Sequence, residues 1–381
     1  MSLIKDRTAI VGVGTTRFGE MYRDLDPERT PYGLVAEAFK EALEDSGLAK
    51  EQIDGLICHR IPSYQRMADV LGIRHPRIVY SFEGQGRMSG VSTLTAVMAV
   101  ATGQANVVAC VYGNVGRSAG AKYGGETETA STRIYDTMYG MTSPGAYVAM
   151  MYRRYQHVYG VPDGALAPVA ISNRKNAARN PNAVMRTPIT YDQYMASRYI
   201  VEPLRLFDYC LINDGAVVMI ITSAERARDL KKPPAYVAGM ASCTDLTNFY
   251  TSRDIFETAS RDVAERLYRD AGLGPTDVDC AQIYDNFTPT VLFSLENFGY
   301  CPRGEAWQWV KDGRIEREGE LPVNTAGGHT SESYMQGWAL QVEAVRQVRG
   351  EAQARQVPNC HVAHYICVSP IVTSYILHDQ P

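Results

Sequence analysis

Three loops in this chain carry residues whose types and positions suit chemistry on a charged or polarised substrate. FEGQGRMSG (82–90) contains Arg87 and leads into a helical pattern. NTAGGHTSESYMQG (324–337) contains Gly328, His329 and Tyr334 and leads into another. The third follows a strand-like run at 280–284, where Tyr284-Asp285-Asn286-Phe287 is expected to begin a helix. At helix N-termini the unpaired N–H groups and the helix dipole favour negative charge, and in α/β folds ligands collect at such strand-to-helix turns. A histidine titrates in the range useful to a proton donor, which makes His329 a candidate, although loop histidines more often cap a helix or face solvent. Asp285 and Asn286 suit helix capping as well as chemistry.

Other motifs are weaker. Gly116-Arg117-Ser118-Ala119-Gly120 matches G-x-S-x-G after a strand, but a nucleophile elbow needs a helix directly behind it, and AKYGGETETAS is a poor one. Gly12, Gly14 and Gly19 miss the dinucleotide spacing, which disfavours NAD. Eight cysteines stand without a C-x-x-C pair or matching histidines, so neither a disulfide framework nor a metal site is expected; most should be buried thiols, Cys367 among them. With 38 Lys+Arg against 42 Asp+Glu and no basic cluster, nucleic acid is not an expected partner. The longest apolar runs, such as GAVVMII (215–221), fall far short of the roughly 20 residues that span a bilayer. The N-terminus shows no secretory pattern, and a cytoplasmic location is expected.

The elements that must position the three loops recur along the chain. A strand pattern at 8–15, a helical one at 33–46 and a turn plus strand from Gly47 return as AYVAGMAS from Ala235, a helical stretch 254–271 and a strand after Gly272. At a shift of 225 residues Gly14 falls on Gly239, Gly47 on Gly272, Leu48 on Leu273 and Asp54 on Asp279. At a shift of 247 the helix 89–103 falls within 335–350, and Arg87 on Tyr334. Such registers indicate an internal repeat. Residues 1–113 plus 205–232 are expected to form one α/β half and 233–381 the other. Residues 114–204, rich in Gly, Thr and Tyr, read as an inserted loop region with helices near 145–158 and 164–179.

The segments DNFTPTVLFSLENFGYCPRGE (285–305), NTAGGHTSESYMQGW (324–338), KNAARNPNAVMR (175–186) and NDGAVVMIITS (213–223) together carry a family likeness. In them the chain resembles the thiolase superfamily, in its lipid-transfer-protein branch related to the thiolase domain of sterol carrier protein x. The resemblance implies a duplicated, five-layered αβαβα fold with mixed sheets and an inserted loop domain.

Thiolases open the first central helix with a nucleophilic Cys and the second with a His, and a third motif beginning Asn or His helps form an oxyanion hole. Here those positions fall on or near Arg87, on Tyr334 and on Tyr284. A guanidinium cannot form the acyl-thioester that thiolysis needs. The altered pattern resembles the steroid side-chain aldolases of this branch, which lack the cysteine and carry tyrosines at both positions. That resemblance implies cleavage of a tertiary β-hydroxyacyl-CoA to a ketone and a shorter acyl-CoA. Tyr284 and Tyr334 would be the acid and base, and Arg87, Asp285, Asn286, Gly328 and His329 would bind or support.

Coenzyme A would enter only as part of the thioester, with no bound cofactor. The resemblance further implies a homodimer and an OB-fold, zinc-ribbon partner protein. Two alternatives stay open: an acetyl-CoA acyltransferase using a different cysteine, and a non-catalytic acyl-CoA or lipid-binding subunit.

Overall fold

The computed structural model describes residues 4–83, 88–122, 138–141, 143–244 and 259–381. Arg87, and residues 254–258 of the helix expected at 254–271, lie outside them.

The strands are β1 (Thr8–Thr15), β2 (Gly55–His59), β3 (Ile78–Phe82), β4 (Val107–Val115), β5 (Tyr199–Val201), β6 (Leu204–Arg205), β7 (Asp214–Ser223), β8 (Ala235–Thr244), β9 (Cys280–Ile283), β10 (Val362–Cys367) and β11 (Ile371–His378). The helices used below are α1 (Pro31–Ser46), α2 (Met88–Ala101), α3 (Pro144–Tyr159), α4 (Ala167–Ala178), α5 (Ser260–Ala271), α6 (Pro289–Asn297), α7 (Gly328–Ser331) and α8 (Trp338–Val348).

Residues 214–222 of β7 are all buried without alternation, as expected of a strand covered on both faces. α1 instead buries one stripe, Leu34, Val35, Ala38, Phe39 and Ala42, at helical spacing. Thr30 caps it by accepting the Gly33 N–H, a device worth about 1 kcal/mol. α2 and α8 bury side chains around most of their circumference, which marks them as interior helices.

The nine long strands form one mixed sheet in the order β3-β2-β4-β7-β1-β8-β11-β10-β9. Its centre is a narrow seam, because β1 and β8 pair only at Ala9↔Tyr236 and Ile10↔Ala235. On either side the pattern repeats. β2 lies parallel to β4 and β9 to β10, while β7 and β11 run antiparallel to the strands flanking them. A parallel bridge between Ala281 and Val323 stands where β3 stands in the other half. α2 and α8 fill the space between the two half-sheets, with α1 outside one and α5 outside the other, giving five layers.

Positions related by the 225-residue shift do the same work. Gly47 and Gly272 end α1 and α5 in the left-handed region, at φ 73° and 70°. The Asp54 carboxylate accepts the Asn106 and Val107 N–H groups at the entry to β4. Asp279 accepts those of His361 and Val362 at the entry to β10. Each aspartate thus sets the register of a parallel strand beside its own.

Candidate active site

β9 ends at Ile283, and the Tyr284 N–H continues the ladder by donating to Ile366 O of β10 at 2.8 Å. The expected helix at Tyr284 does not start there. α6 begins at Pro289, whose missing N–H suits a first helical position. The intervening backbone is used otherwise: Asn286 O accepts the Cys210 N–H at 3.0 Å, and Phe287 bridges Tyr209. Asn286 is partly exposed, and its Oδ1 accepts the Phe287 N–H.

Asp285 caps a helix other than its own. It is fully buried, and its Oδ1 accepts the His329 N–H at 2.8 Å at the start of α7. Gly328 is required beside it: its φ is +62°, and a Cβ there would stand 2.3 Å from Asp285 Oδ2. Burial pushes the Asp285 carboxyl up to about 7, against the pull of the bonds it accepts.

The phenols of Tyr284 and Tyr334 meet at 3.1 Å. The Tyr334 N–H donates to Asn213 Oδ1 at 2.8 Å, which fixes its loop against the start of β7. The His329 ring stands edge-on to both tyrosines, 4.6 Å from the Tyr284 centroid and 5.1 Å from that of Tyr334. His329 is wholly buried, and burial pushes its pKa down to about 3, so the ring is neutral. Its Nε2 accepts the Gly337 N–H at 2.9 Å, which places the proton on Nδ1. Nδ1 lies 3.3 Å from Asp285 Oδ1 without hydrogen-bond alignment. The His329 ring props the two phenol rings.

Burial raises both phenols above their ordinary pKa, so both are protonated at neutral pH. Their shared hydrogen bond separates them, raising Tyr284 and lowering Tyr334. Tyr284 is 3% exposed and Tyr334 only partly buried, so Tyr334 is the easier to ionise.

Sequence reasoning missed several neighbours. Arg60, directly after β2 and at φ +56°, favours ionisation of Tyr334 through its positive charge. Cys210 and Cys367 flank the pair, and negative charge on either thiol would raise Tyr284. Asn173 of α4, 1% exposed, donates to Asp285 Oδ2 at 2.7 Å and to Thr330 Oγ1 at 2.8 Å. Only the left-handed, non-glycine backbone of Arg60 is unusual, and φ is not legible in a sequence. Among the described residues no group of three or more His, Cys, Asp or Glu side chains is arranged to hold a metal.

Ser118 of the G-x-S-x-G match lies in a turn, not before a helix, and its hydroxyl donates to the buried Asp214 at 2.5 Å.

Comparison with known proteins places the chain in one family. Residues 241–374 match the family described as Thiolase C-terminal domain-like. The steroid side-chain-cleaving aldolase of Thermomonospora curvata is 37% identical over 367 residues, 92% of each chain. The 17-hydroxy-3-oxo-4-pregnene-20-carboxyl-CoA lyase of Mycobacterium tuberculosis is 36% identical, covering 91% of this chain and 93% of its own. Among solved structures, the Ltp2–ChsH2(DUF35) aldolase superposes with a TM-score of 0.90 at 34% identity, over 99% of both chains. The chain belongs to the thiolase superfamily, in the branch of the steroid side-chain-cleaving aldolases.

Proposed function

We propose that this chain is a carbon–carbon lyase that cleaves a bulky, steroid-type β-hydroxyacyl-CoA to a ketone and a shorter acyl-CoA. The contact of the Tyr284 and Tyr334 phenols carries the reading, because retro-aldol cleavage needs one proton moved from a hydroxyl to a carbon. In one concerted relay the Cα–Cβ bond breaks to give a ketone, Tyr284 delivers its proton to the developing enolate carbon, Tyr334 passes its own proton to Tyr284, and Tyr334 takes the β-hydroxyl proton. Both phenols start and finish neutral, which suits groups whose burial opposes charge. The enolate develops near the entrances of α2 and α8, where the helix dipoles favour negative charge.

Mass spectrometry of products from a tertiary β-hydroxyacyl-CoA, without free CoA, tests the reading. Ketone plus a shorter acyl-CoA is the expected outcome. Cleavage only of a β-ketoacyl-CoA, and only with free CoA, would replace it with the acyltransferase reading. The placement of Cys210 and Cys367 beside the tyrosines keeps that second reading in view.

We propose the assembly as well. The working unit is a homodimer with an OB-fold, zinc-ribbon partner of the DUF35 type, located in the cytoplasm. Support for the assembly comes from the complex formed by the Ltp2 aldolase and from edge strand β3, with Tyr80 47% exposed. Co-expression followed by light scattering checks the assembly.

A further inference from the structure

α4 carries three buried asparagine side chains on one face: Asn173, Asn176 and, just past its end, Asn180. Each amide grips a different part of the loop that ends in Tyr334. Asn176 donates to Val323 O and Asn324 O, and Asn180 to Ala326 O and Glu332 Oε1. Asn173 differs from these, because its two donor bonds divide between the two tyrosine loops. One goes to Asp285 Oδ2, next to Tyr284, and the other to Thr330 Oγ1, four residues before Tyr334.

We infer that Asn173 is a positioning residue for the tyrosine pair, setting the distance between the two phenols through Asp285 and α7. The path is continuous. Asn173 orients the Asp285 carboxylate, whose other oxygen holds the His329 N–H. The His329 ring packs on both phenols, and its Nε2 holds Gly337 N three residues beyond Tyr334. Asn173, Asp285 and His329 are all buried, so no water can replace a bond lost among them without opening the core. A proton relay across a 3.1 Å contact tolerates little displacement, and a shift of about 1 Å costs on the order of 100-fold in rate. The face of α4 that carries the asparagines is thus an indirect component of catalysis. The inference rests on the aldolase reading for its kinetic consequences, though not for its geometric one.

The test uses two variants in the full-length protein with its partner. Asn173→Leu keeps the branched outline of the side chain, with somewhat more bulk, and removes both donors; its kcat should fall about 10- to 100-fold with KM within about twofold. In a Tyr284→Phe background the same change should cost almost nothing further, since the relay it serves is already broken. Asn173→Asp sets a second carboxyl against Asp285, and the two must share a proton to bond. Its activity relative to the parent should therefore recover as the pH falls from 8 to 6, which a purely structural lesion would not do.

Ring-labelled tyrosine NMR reads the geometry without turnover. The Tyr284 and Tyr334 resonances should shift in Asn173→Leu while the others hold. Should Asn173→Leu not fold, Asn173→Asp and its pH profile decide. Unchanged kcat and unchanged resonances, additive losses in the Tyr284→Phe background, or no recovery of Asn173→Asp at low pH would each overturn the inference. Shifted resonances in a protein without aldol cleavage would instead sink the proposed reaction and leave the positioning intact.

Discussion

Trp338 Nε1 donates to His59 Nδ1 at 2.9 Å, tying the first residue of α8 to the last residue of β2. Both side chains are fully buried, and the bond crosses from one half of the repeat to the other beside the loop that carries Arg60. Trp338→Phe removes the donor inside the core and should lower stability by about 1–3 kcal/mol, read as a lower urea midpoint at unchanged slope.

Tyr284→Phe and Tyr334→Phe each break the hydroxyl contact while keeping the ring that packs on His329. Single-turnover cleavage should fall by about 100- to 10,000-fold in either variant, with far-UV circular dichroism unchanged. Retained cleavage in either variant would exclude that tyrosine from the proton path.

The thiols beside the pair serve as a control on the chemistry. Cys210 and Cys367 are 5% and 0% exposed, and neither forms a disulfide. Cys210→Ser and Cys367→Ser should each cost less than about tenfold in aldol cleavage, whereas an acyl-enzyme route would lose orders of magnitude with the nucleophile. Acyl-enzyme trapping with a labelled thioester gives an independent readout.

Stability should respond to pH through buried carboxyls. Burial raises Asp208 to about 6, Asp285 to about 7 and Glu332 to about 8, so each binds a proton in the folded state that the unfolded chain has released. Their contribution is fully present below about pH 4 and is lost as the pH rises through 6 to 8. His329 and His364, both lowered to about 3, act oppositely: the neutral rings stabilise above about pH 6.5, and that contribution is lost as the pH falls toward 3. Asp285→Asn should therefore flatten the decline between pH 5 and 7. Urea titrations at each pH for the parent and the variant would show it; parallel curves would reject the assignment.

The fold was largely legible because its repeat is written in residues that act locally. A glycine ending a helix or an aspartate before a parallel strand performs one task wherever it recurs, as Gly47 with Gly272 and Asp54 with Asp279 show. Tyr284 and Tyr334 stood out in the sequence because each lies in a loop at a strand or helix end, at positions the thiolase resemblance singles out. The start of α6 was misplaced because Asp285 and Asn286 look like caps for the following helix, whereas the Asp285 side chain holds His329 and the Asn286 carbonyl holds Cys210, both far along the chain. Arg60, Cys210 and Asn173 escaped for the same reason, since tertiary pairing alone brings them to the site and no periodicity marks it.

β7 lies between β4 and β1, so the first strand made stays unpaired until β7 has been made. Thr8 pairs with Ser223, and the same strand also fills the open side of β4. A nascent chain must therefore emerge past residue 223, with the whole of 114–204 already outside the ribosome, before β1 has a neighbour. Until then the β1 and β4 edges expose unpaired backbone and apolar side chains, the condition that favours wrong pairing between chains. Such long-range closure slows folding, so the yield of soluble protein should depend on chaperones and on the pace of synthesis through this stretch.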